Sequence, residues 1–455
     1  MPAICLYFQV HQPCRLKRYT AFDIGRDHDY ENGGENLRLL EKVAERCYLP
    51  ANALLSKLIH KHEGRFRLAF SLSGVLLDQL QLYRPDVLES FRLLAETGCV
   101  EFLNETYYHS LSFLFSRDEF RAQVSSHRRK IKELFGQDGK TFRFTELIYS
   151  NDLAREAAAL GYDVILAEGA AALLGDRSPN RVYRASEGDG GGQIKLLLRN
   201  YRLSDDVSFR FSSRDWSEYP LTAEKYAHWI HKERPLNNAL FCHSGLDKPA
   251  PEGRKPGESS NSLKILDSGF RRNDGREAEM ELFKGLKEND AAKVINLFMD
   301  YETFGEHQWA DTGIFHFLEE LPKEILKHRD FLFATPAEIA RSFEPVDCID
   351  APDLSSWADT ERDLTAWLGN AMQRDAAGTL YGLETEVKAR KNKALLENWR
   401  KLQTSDHFYY MCTKWFADGD VHKYFNPYPS PYDAYINYMN ILDDLSRQVK
   451  KEKRS

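Results

Sequence analysis

The sequence has few of the features that mark secreted, membrane or nucleic-acid-binding proteins. Its 455 residues include only seven cysteines, and these are scattered along the chain. An odd number of cysteines without a Cys-x-x-Cys pair argues against a disulfide framework and against a thiolate zinc site. We therefore expect a reducing, cytoplasmic environment.

Long apolar runs and concentrated positive charge are also missing. No apolar stretch reaches the roughly 20 residues that a membrane-spanning helix needs. The segment Ile4–Phe8 is typical of a buried strand and has no secretory-signal pattern. The net charge is −7, and the basic end Lys450–Arg454 is short enough to be a solvated tail. We expect no membrane and no nucleic acid as partner, and the oligomeric state stays open.

What is present is the alternation of an α/β protein. Apolar residues make up 42% of the chain, and its length suggests two packed units. Near-continuous apolar strands separated by helical stretches such as Pro85–Thr97 and Arg117–Phe135 predict parallel strands covered by helices, in a barrel or an open sheet. The predicted strands are Ala3–Val10, Phe66–Ser71, Val100–Leu103, Thr141–Ile148, Val164–Ala167, Ile194–Leu198 and Val294–Met299.

Beyond about residue 345 the composition becomes that of a helical region. We predict a catalytic domain over residues 1–345 and a C-terminal α-helical domain over residues 346–455 that completes the active site. The stretch 247–276 is rich in Pro, Gly, Ser, Asn and Arg and has no sustained periodicity. It is predicted to be a surface insertion.

Carboxylates follow two of the predicted strands. Asp300 and Glu302 would share one face if their strand continued that far. Two buried like charges raise at least one pKa, as a general acid requires, although a structural ion-pair network would look the same in sequence. Glu146 stands among apolar residues, where it is either a nucleophile or a structural group held by neighbours such as Arg143 or Tyr149.

Polar residues follow two further predicted strands. His11 ends the first strand, and Glu105 and His109 come after Val100–Leu103. Either segment alone is more typical of structural hydrogen bonding than of chemistry. In a barrel, however, all these strand ends would meet at one mouth.

Together and in order, these segments resemble the signature regions of glycoside hydrolase family 57, the retaining α-amylase-like family. The resemblance covers residues 3–445 apart from the insertion. The matching segments are His11-Gln12-Pro13, Glu101 to Ser110, Thr145 to Tyr149, Asp300 to Gly305 and Ser356 to Leu364.

The resemblance implies an incomplete (β/α)7 TIM-like barrel followed by a C-terminal helical region. It places Glu146 on the family's nucleophile and Asp300 on its acid/base, in a double displacement with retention on α-1,4-glucans or maltooligosaccharides. The two carboxyl groups should then lie roughly 5–5.5 Å apart. No metal or cofactor is expected. The residues expected to bind sugar are His11, Glu105, Glu302, His307, Trp309, Trp357 and Asp359.

Three alternatives stay open: a 4-α-glucanotransferase, a metal-dependent hydrolase and a non-catalytic glucan-binding protein. A 4-α-glucanotransferase would use the same site, with a sugar hydroxyl in place of water. A branching role is disfavoured by Leu147, where branching enzymes of this family usually carry Cys. A metal-dependent deacetylase or mannosidase would need clustered Asp and His ligands, and a non-catalytic glucan-binding protein would bind without turnover.

Overall fold

Seven parallel strands form the centre of the fold, and helices pack against them. The computed structural model describes residues 2–186, 194–232, 294–328, 331–414 and 426–451. The predicted insertion 247–276 lies outside these residues. The strands are β1 (Ala3–Val10), β2 (Leu68–Leu72), β3 (Val100–Phe102), β4 (Thr141–Arg143), β5 (Val164–Glu168), β6 (Val182–Ala185), β7 (Lys195–Arg199), β8 (Val294–Asp300), β9 (Leu332–Phe333) and β10 (Cys348–Ile349).

The strands belong to two sheets. The first has the order β3-β2-β1-β8, with β9 beside the start of β1, and the second has the order β10-β6-β7-β5-β4. All pairs are parallel except β6 with β7. β1 is buried along its whole length, as its unbroken apolar run predicts for a strand covered on both faces.

The two sheets meet at two places. Between β3 and β4, Asn104 forms a parallel bridge with Phe142, and its backbone accepts a hydrogen bond from the Arg143 N–H (2.9 Å). Between β7 and β8, the Asn296 amide donates to the Leu198 carbonyl (2.9 Å), and the Asn200 N–H donates to the Asn296 carbonyl (2.9 Å). β1 to β5, β7 and β8 thus surround a common interior. This confirms the predicted (β/α)7 barrel, with short polar links at two junctions.

Helices flank the strands and form the C-terminal region. A π-helical stretch, Ala44–Tyr48, joins the first two of them. The helices are Gly33–Val43, Leu49–Lys61, Gly74–Tyr83, Pro85–Glu96, Arg117–Phe135, Asn151–Ala159, Ala171–Leu174, Tyr201–Ser208, Ala223–His231, Ile314–Leu326, Pro336–Ser342, Thr365–Leu368, Ala371–Gly382, Glu384–Ala389, Lys393–Lys401, Ser405–Tyr409 and Pro431–Lys451. In the part of the chain that the structure covers, no helix combines the length and apolar character needed to cross a bilayer.

The apolar core includes three large clusters. One lies inside the barrel and includes Tyr7, Leu166 and Phe298. The second packs the neighbouring helices on β1, β2, β3 and β8. The third joins the outer face of β4, β5 and β7 to the C-terminal helices. It contains, for example, both Leu196 of β7 and Trp399 of the C-terminal region. The C-terminal region is therefore built onto one side of the barrel.

The largest difference from the predicted elements lies after β4. The apolar run Thr141–Ile148 was predicted as one strand, but β4 ends at Arg143 and the chain turns through a 3-10 helix, Thr145–Leu147. Hydrophobicity alone cannot separate a buried strand from a buried turn. β6, β9 and β10 were not predicted, because each is short, with four, two and two residues.

Candidate active site

A cavity of about 320 Å³ lies where the strands end. Asp300 is the last residue of β8, and Glu146 lies in the turn that follows β4. Trp357 and Asp406 reach the cavity from the C-terminal region. The carboxyl ends of parallel strands are where barrel enzymes build their active sites, so this cavity is the candidate active site.

The backbone at Glu146 has an uncommon conformation. Its φ and ψ are 60° and 27°, and Leu147 follows with a φ of 50°. Left-handed backbone costs a non-glycine residue on the order of 1–3 kcal/mol, so the surroundings must hold it in place. Leu147 is fully buried, and the backbone N–H of Trp357 donates a hydrogen bond to the backbone carbonyl of Glu146 at 3.3 Å. The turn directs the Glu146 carboxylate into the cavity.

Three side chains hold the Glu146 carboxylate. His109 Nε2 and Ser405 Oγ each lie 3.2 Å from Oε1, and Trp357 Nε1 donates to Oε2 at 2.8 Å. Burial alone would raise the pKa of Glu146. The hydrogen bond with His109 and the charges of His109 and Arg143 outweigh this effect, so the pKa lies below its ordinary value. Glu146 is therefore ionised at neutral pH.

The pKa values of two other acids of the cavity, Asp300 and Glu302, are raised. Burial, reinforced by the charge of Glu146, raises the pKa of Asp300 to about 6. Burial and the charge of Asp300 raise the pKa of Glu302 to about 8. Glu302 accepts hydrogen bonds from the Tyr48 hydroxyl and from the Gln12 amide. The cavity thus brings the ionised Glu146 together with two acids that keep their protons more readily.

Two histidines line the cavity side by side. His11 Nδ1 lies 2.6 Å from Ser73 Oγ, and its Nε2 lies 3.0 Å from Asp406 Oδ2. Its ring stacks on the ring of His109, with centroids 4.0 Å apart and an angle of 22° between the planes. Burial and the charge of His109 lower the pKa of His11. His11 is therefore a neutral donor or acceptor in the cavity wall.

The same groups could be considered as metal ligands. His11, His109 and Asp406 bring one potential ligand atom each to within 4.8 Å of one another. An imidazole binds a metal through a lone pair in the plane of its ring. Rings stacked at 22° with centroids 4.0 Å apart hold these lone pairs in two nearly parallel planes, so this arrangement opposes binding of one ion by both histidines.

Two buried arginine side chains contact the indole ring of Trp357. Arg143 lies over its indole ring at 5.2 Å and Arg199 at 5.8 Å. Arg199 is itself fixed by Glu168 (3.1 Å) and Asp205 (2.5 Å). Such cation–π contacts orient the indole whose N–H reaches Glu146.

Most of the predicted site residues meet in this cavity. Those on its wall are His11, Glu146, Asp300, Glu302, His307, Trp357 and Asp359. Glu105 has no exposed surface and lies behind His109, with its Oε2 2.9 Å from His109 Nδ1. Trp309 lies outside the wall that the described residues form. β8 ends at Asp300, so Glu302 reaches the cavity from a 3-10 turn, Tyr301–Thr303, and not along a continued strand.

Sequence reasoning did not select four residues that shape the site: His109, Arg199, Ser405 and Asp406. His109 had a signal, because it lies in the same post-strand segment as Glu105. Ser405 is 259 residues from Glu146 along the chain. No local pattern links such distant positions, and only the docking of the C-terminal region brings them together.

Comparison with known proteins finds a matching family model and a related sequence. Residues 5–244 and 269–352 match the family model described as glycosyl hydrolase family 57. A candidate alpha-amylase of Methanocaldococcus jannaschii is 38% identical over 464 residues, covering 98% of this chain and 85% of that protein.

Solved structures share the fold at low sequence identity. A branching enzyme of Pyrococcus horikoshii has a TM-score of 0.60 at 14% identity, covering 93% of this chain and 88% of that one. The 4-alpha-glucanotransferase of Thermococcus litoralis has a TM-score of 0.59 at 14% identity, covering 90% of this chain and 56% of that one. At such identities the likeness concerns the fold alone.

Proposed function

Because the chain belongs to glycosyl hydrolase family 57 and is a glycoside hydrolase, we propose that it cleaves α-1,4-linked glucans or maltooligosaccharides with retention of anomeric configuration. Glu146 is the proposed nucleophile and Asp300 the proposed acid/base. The substrate class is suggested by the name of the relative from Methanocaldococcus jannaschii. No cofactor enters this reaction.

The observation that carries the proposal is that the pKa values of two carboxyl groups in one cavity are shifted in opposite directions. Burial would raise the pKa of Glu146, but the hydrogen bond and charge of His109 hold it below its ordinary value. Burial and the charge of Glu146 raise the pKa of Asp300 to about 6. A retaining glycosidase needs one ionised carboxylate and one protonated carboxyl group beside the same bond. Environments that separate two pKa values in this way assign the two roles.

The reaction proceeds in two steps. In the first, Asp300 donates its proton to the glycosidic oxygen while a Glu146 oxygen attacks the anomeric carbon. The bond between that carbon and the glycosidic oxygen breaks, and the leaving sugar departs with a new hydroxyl group. The glycosyl ester that forms removes the charge of Glu146. In the second step Asp300, now ionised, accepts a proton from water, and that water displaces Glu146 from the sugar.

The polar wall residues are proposed to bind the sugar. His11, Glu302, His307 and Asp359 face the cavity and offer hydrogen-bonding groups to sugar hydroxyls, and Trp357 offers an indole ring. Burial, partly offset by Glu306, lowers the pKa of His307 to about 4, so this ring is neutral at physiological pH.

We also infer a cytoplasmic location, because Cys5, Cys14 and the other cysteines of the described residues are all free thiols.

Transfer to a sugar hydroxyl is the second candidate activity. It uses the same glycosyl-enzyme and differs only in the acceptor of the second step. Products longer than the substrate would indicate a transferase, and net release of reducing ends would indicate a hydrolase. Binding of glycogen without any product would instead identify a non-catalytic protein.

The test is product analysis on maltoheptaose for wild type, Glu146→Ala and Asp300→Ala. We expect both variants to lose several orders of magnitude in activity, because no other group replaces either carboxyl. Azide should partly restore Glu146→Ala and give a product of inverted configuration. The near-isosteric variants Glu146→Gln and Asp300→Asn, checked by circular dichroism, separate loss of chemistry from loss of folding. Full activity in either residue's variants would remove that residue from its role.

A further inference from the structure

His109 lies between two carboxylates. Its Nδ1 is 2.9 Å from Glu105 Oε2, and its Nε2 is 3.2 Å from Glu146 Oε1. An ionised carboxylate can only accept hydrogen bonds, and a neutral imidazole has a single N–H to donate. Both contacts are satisfied together only when the ring carries two protons. With both carboxylates ionised, the geometry therefore requires an imidazolium beside the proposed nucleophile.

Glu105 cannot meet a sugar directly. Its side chain has no exposed surface, and that of His109 is 3% exposed. The stacked ring of His11 covers one face of His109. Two left-handed backbone positions, at His109 (φ 51°) and Glu146 (φ 60°), direct the two side chains toward each other. Such strain is maintained where the surrounding packing determines a functional geometry.

We infer that Glu105 is a positioning residue that acts through His109: it holds the ring as a cation, and the cation fixes Oε1 of Glu146 and stabilises its negative charge. This inference rests on the proposed function, because it assigns a role relative to the nucleophile. It replaces direct sugar binding as the role of Glu105.

The surrounding charges are consistent with this arrangement. Arg143 Nη1 lies 3.9 Å from Glu105 Oε2, and His127 faces the Glu105 backbone N–H. Burial opposes the ionisation of Glu105, but the hydrogen bond and charge of His109 lower its pKa to about 2. Burial also opposes the charge of His109, yet the hydrogen bonds to Glu105 and Glu146 raise its pKa to about 9.

Other charged groups face Glu146 as well. Arg143 adds a positive charge, and Asp406 adds a negative one that opposes the effect of the cations. Asp300 is a further neighbour. Burial and the charge of Glu146 raise its pKa, and the charges of Arg143, Arg199 and His109 offset part of this increase. His109 is the cation in hydrogen-bonding contact with the nucleophile. Its charge state should therefore dominate the loss of activity on the acidic side of the pH profile, where Glu146 becomes protonated.

The cation contributes at two points of the reaction. In the free enzyme it keeps Glu146 ionised, which maintains the attacking form at mildly acidic pH. In the second step the carboxylate leaves the sugar and regains its charge, which the imidazolium stabilises as it develops. Glu105 never touches the reacting atoms and influences both points through the ring.

The experiment uses Glu105→Gln in the full-length chain. The amide oxygen of the substituted side chain can still accept the Nδ1–H bond, but a neutral His109 then presents its Nε2 lone pair to the Glu146 carboxylate. We expect kcat to fall about 10- to 100-fold with little change in KM. Both limbs of the kcat/KM–pH profile should move to higher pH, because Glu146 and Asp300 each lose a stabilising positive charge.

Glu101→Gln is the matched control. Glu101 is also a buried carboxyl, in β3, but its oxygens accept from Thr141 Oγ1 (2.5 Å) and the Ala337 N–H (2.9 Å), away from the cavity. Its pKa is raised by burial, so the amide replaces a group that is readily protonated. This variant should keep the wild-type pH profile.

A double mutant shows whether Glu105 acts through the ring. In a His109→Gln background, Glu105→Gln should cost little more, because the group through which it acts is gone. A higher KM with an unmoved pH profile would instead mean direct sugar binding, and additive effects would mean independent action. Either result overturns the inference. Failure of the proposed function is distinct, because it appears as activity retained in Glu146→Ala.

Discussion

At the scale of single residues, the environment of each carboxyl group sets its protonation. Glu146 accepts three hydrogen bonds and lies beside the cation His109, whereas Asp300 is buried next to the charge of Glu146. The two acids therefore differ in the form they take near pH 5. That difference depends on the neighbours in space and has measurable consequences.

The first consequence is a bell-shaped pH dependence of kcat/KM. Activity requires ionised Glu146 and protonated Asp300 in the free enzyme. As pH rises through about 6, the pKa of Asp300, the acid loses its proton and activity falls. As pH falls below the ordinary carboxyl range, Glu146, whose pKa is lowered, becomes protonated and activity falls again.

The profile is measured on maltoheptaose, with circular dichroism to confirm folding at each pH. Glu302→Gln is the control for the basic limb. Glu302 has a pKa raised to about 8 and is neutral at pH 6, so removing its carboxyl should leave that limb in place. A wild-type profile without a basic limb near pH 6 would contradict the role of Asp300.

A second residue-scale prediction concerns Trp357. In Trp357→Phe the ring still packs beside Arg143 and Arg199, but the 2.8 Å hydrogen bond from Nε1 to Glu146 is lost. A hydrogen bond to a charged group contributes about 1.5–3 kcal/mol, so kcat/KM should fall roughly 10- to 100-fold. Steady-state kinetics measure the loss, and an unchanged kcat/KM would show that this donor does not position the nucleophile.

At the scale of elements, one helix anchors the C-terminal region to the barrel. The helix Arg117–Phe135 is capped at its N-terminus by Ser116, whose hydroxyl accepts a hydrogen bond from the Glu119 backbone N–H. Glu119 is fully buried, and its carboxylate pairs with Arg400 (2.7 Å) and Lys388 (3.0 Å). A well-capped helix thus presents a buried anion to two cations from the C-terminal helices.

Removing this anion should destabilise the protein. Glu119→Ala removes the carboxylate that pairs with Arg400 and one of the two that pair with Lys388, and breaking a buried ion pair costs about 3 kcal/mol or more. The free energy of unfolding in urea measures the change. Arg121→Ala is the matched control on the same helix, because its pair with Glu156 involves a half-exposed side chain and should contribute about 1 kcal/mol or less. Equal effects of the two variants would contradict a special role for Glu119.

At the scale of the whole molecule, the barrel and the helical region share a core. Phe142, Ile165 and Leu196 of the strands belong to the same buried cluster as Trp399 and Tyr438. Separating the two units would expose this cluster to water at a large hydrophobic cost. The proposed boundary near residue 345 therefore divides regions of different composition that are stabilised jointly.

This shared core predicts a single cooperative unfolding transition. Calorimetry should give one endotherm, with matching calorimetric and van't Hoff enthalpies, and activity should disappear over the same temperature range. A chain ended at residue 345 should be inactive, because it lacks the donors Trp357 and Ser405. Two separated transitions, or an active shortened chain, would contradict joint stabilisation.

Several elements and the order of the site segments could be predicted from the sequence alone. The strand Ala3–Val10 and the helix Arg117–Phe135 agree with the structure to the residue, because apolar period and capping are local properties. The turn at Glu146 could not be predicted, because its left-handed backbone is held by contacts with the distant Trp357. The boundary of Thr141–Ile148 was therefore wrong.

The sequence by itself determined the family, the alternation of strands and helices and the two carboxylates proposed for chemistry, because these depend on residue type and local spacing. Only the tertiary structure decided which groups surround those carboxylates. It brought Ser405 to Glu146, enclosed Glu105 behind His109 and separated the pKa values of Glu146 and Asp300. Hydrogen bonding, burial and charge act over a few ångströms in space, and sequence distance does not encode them.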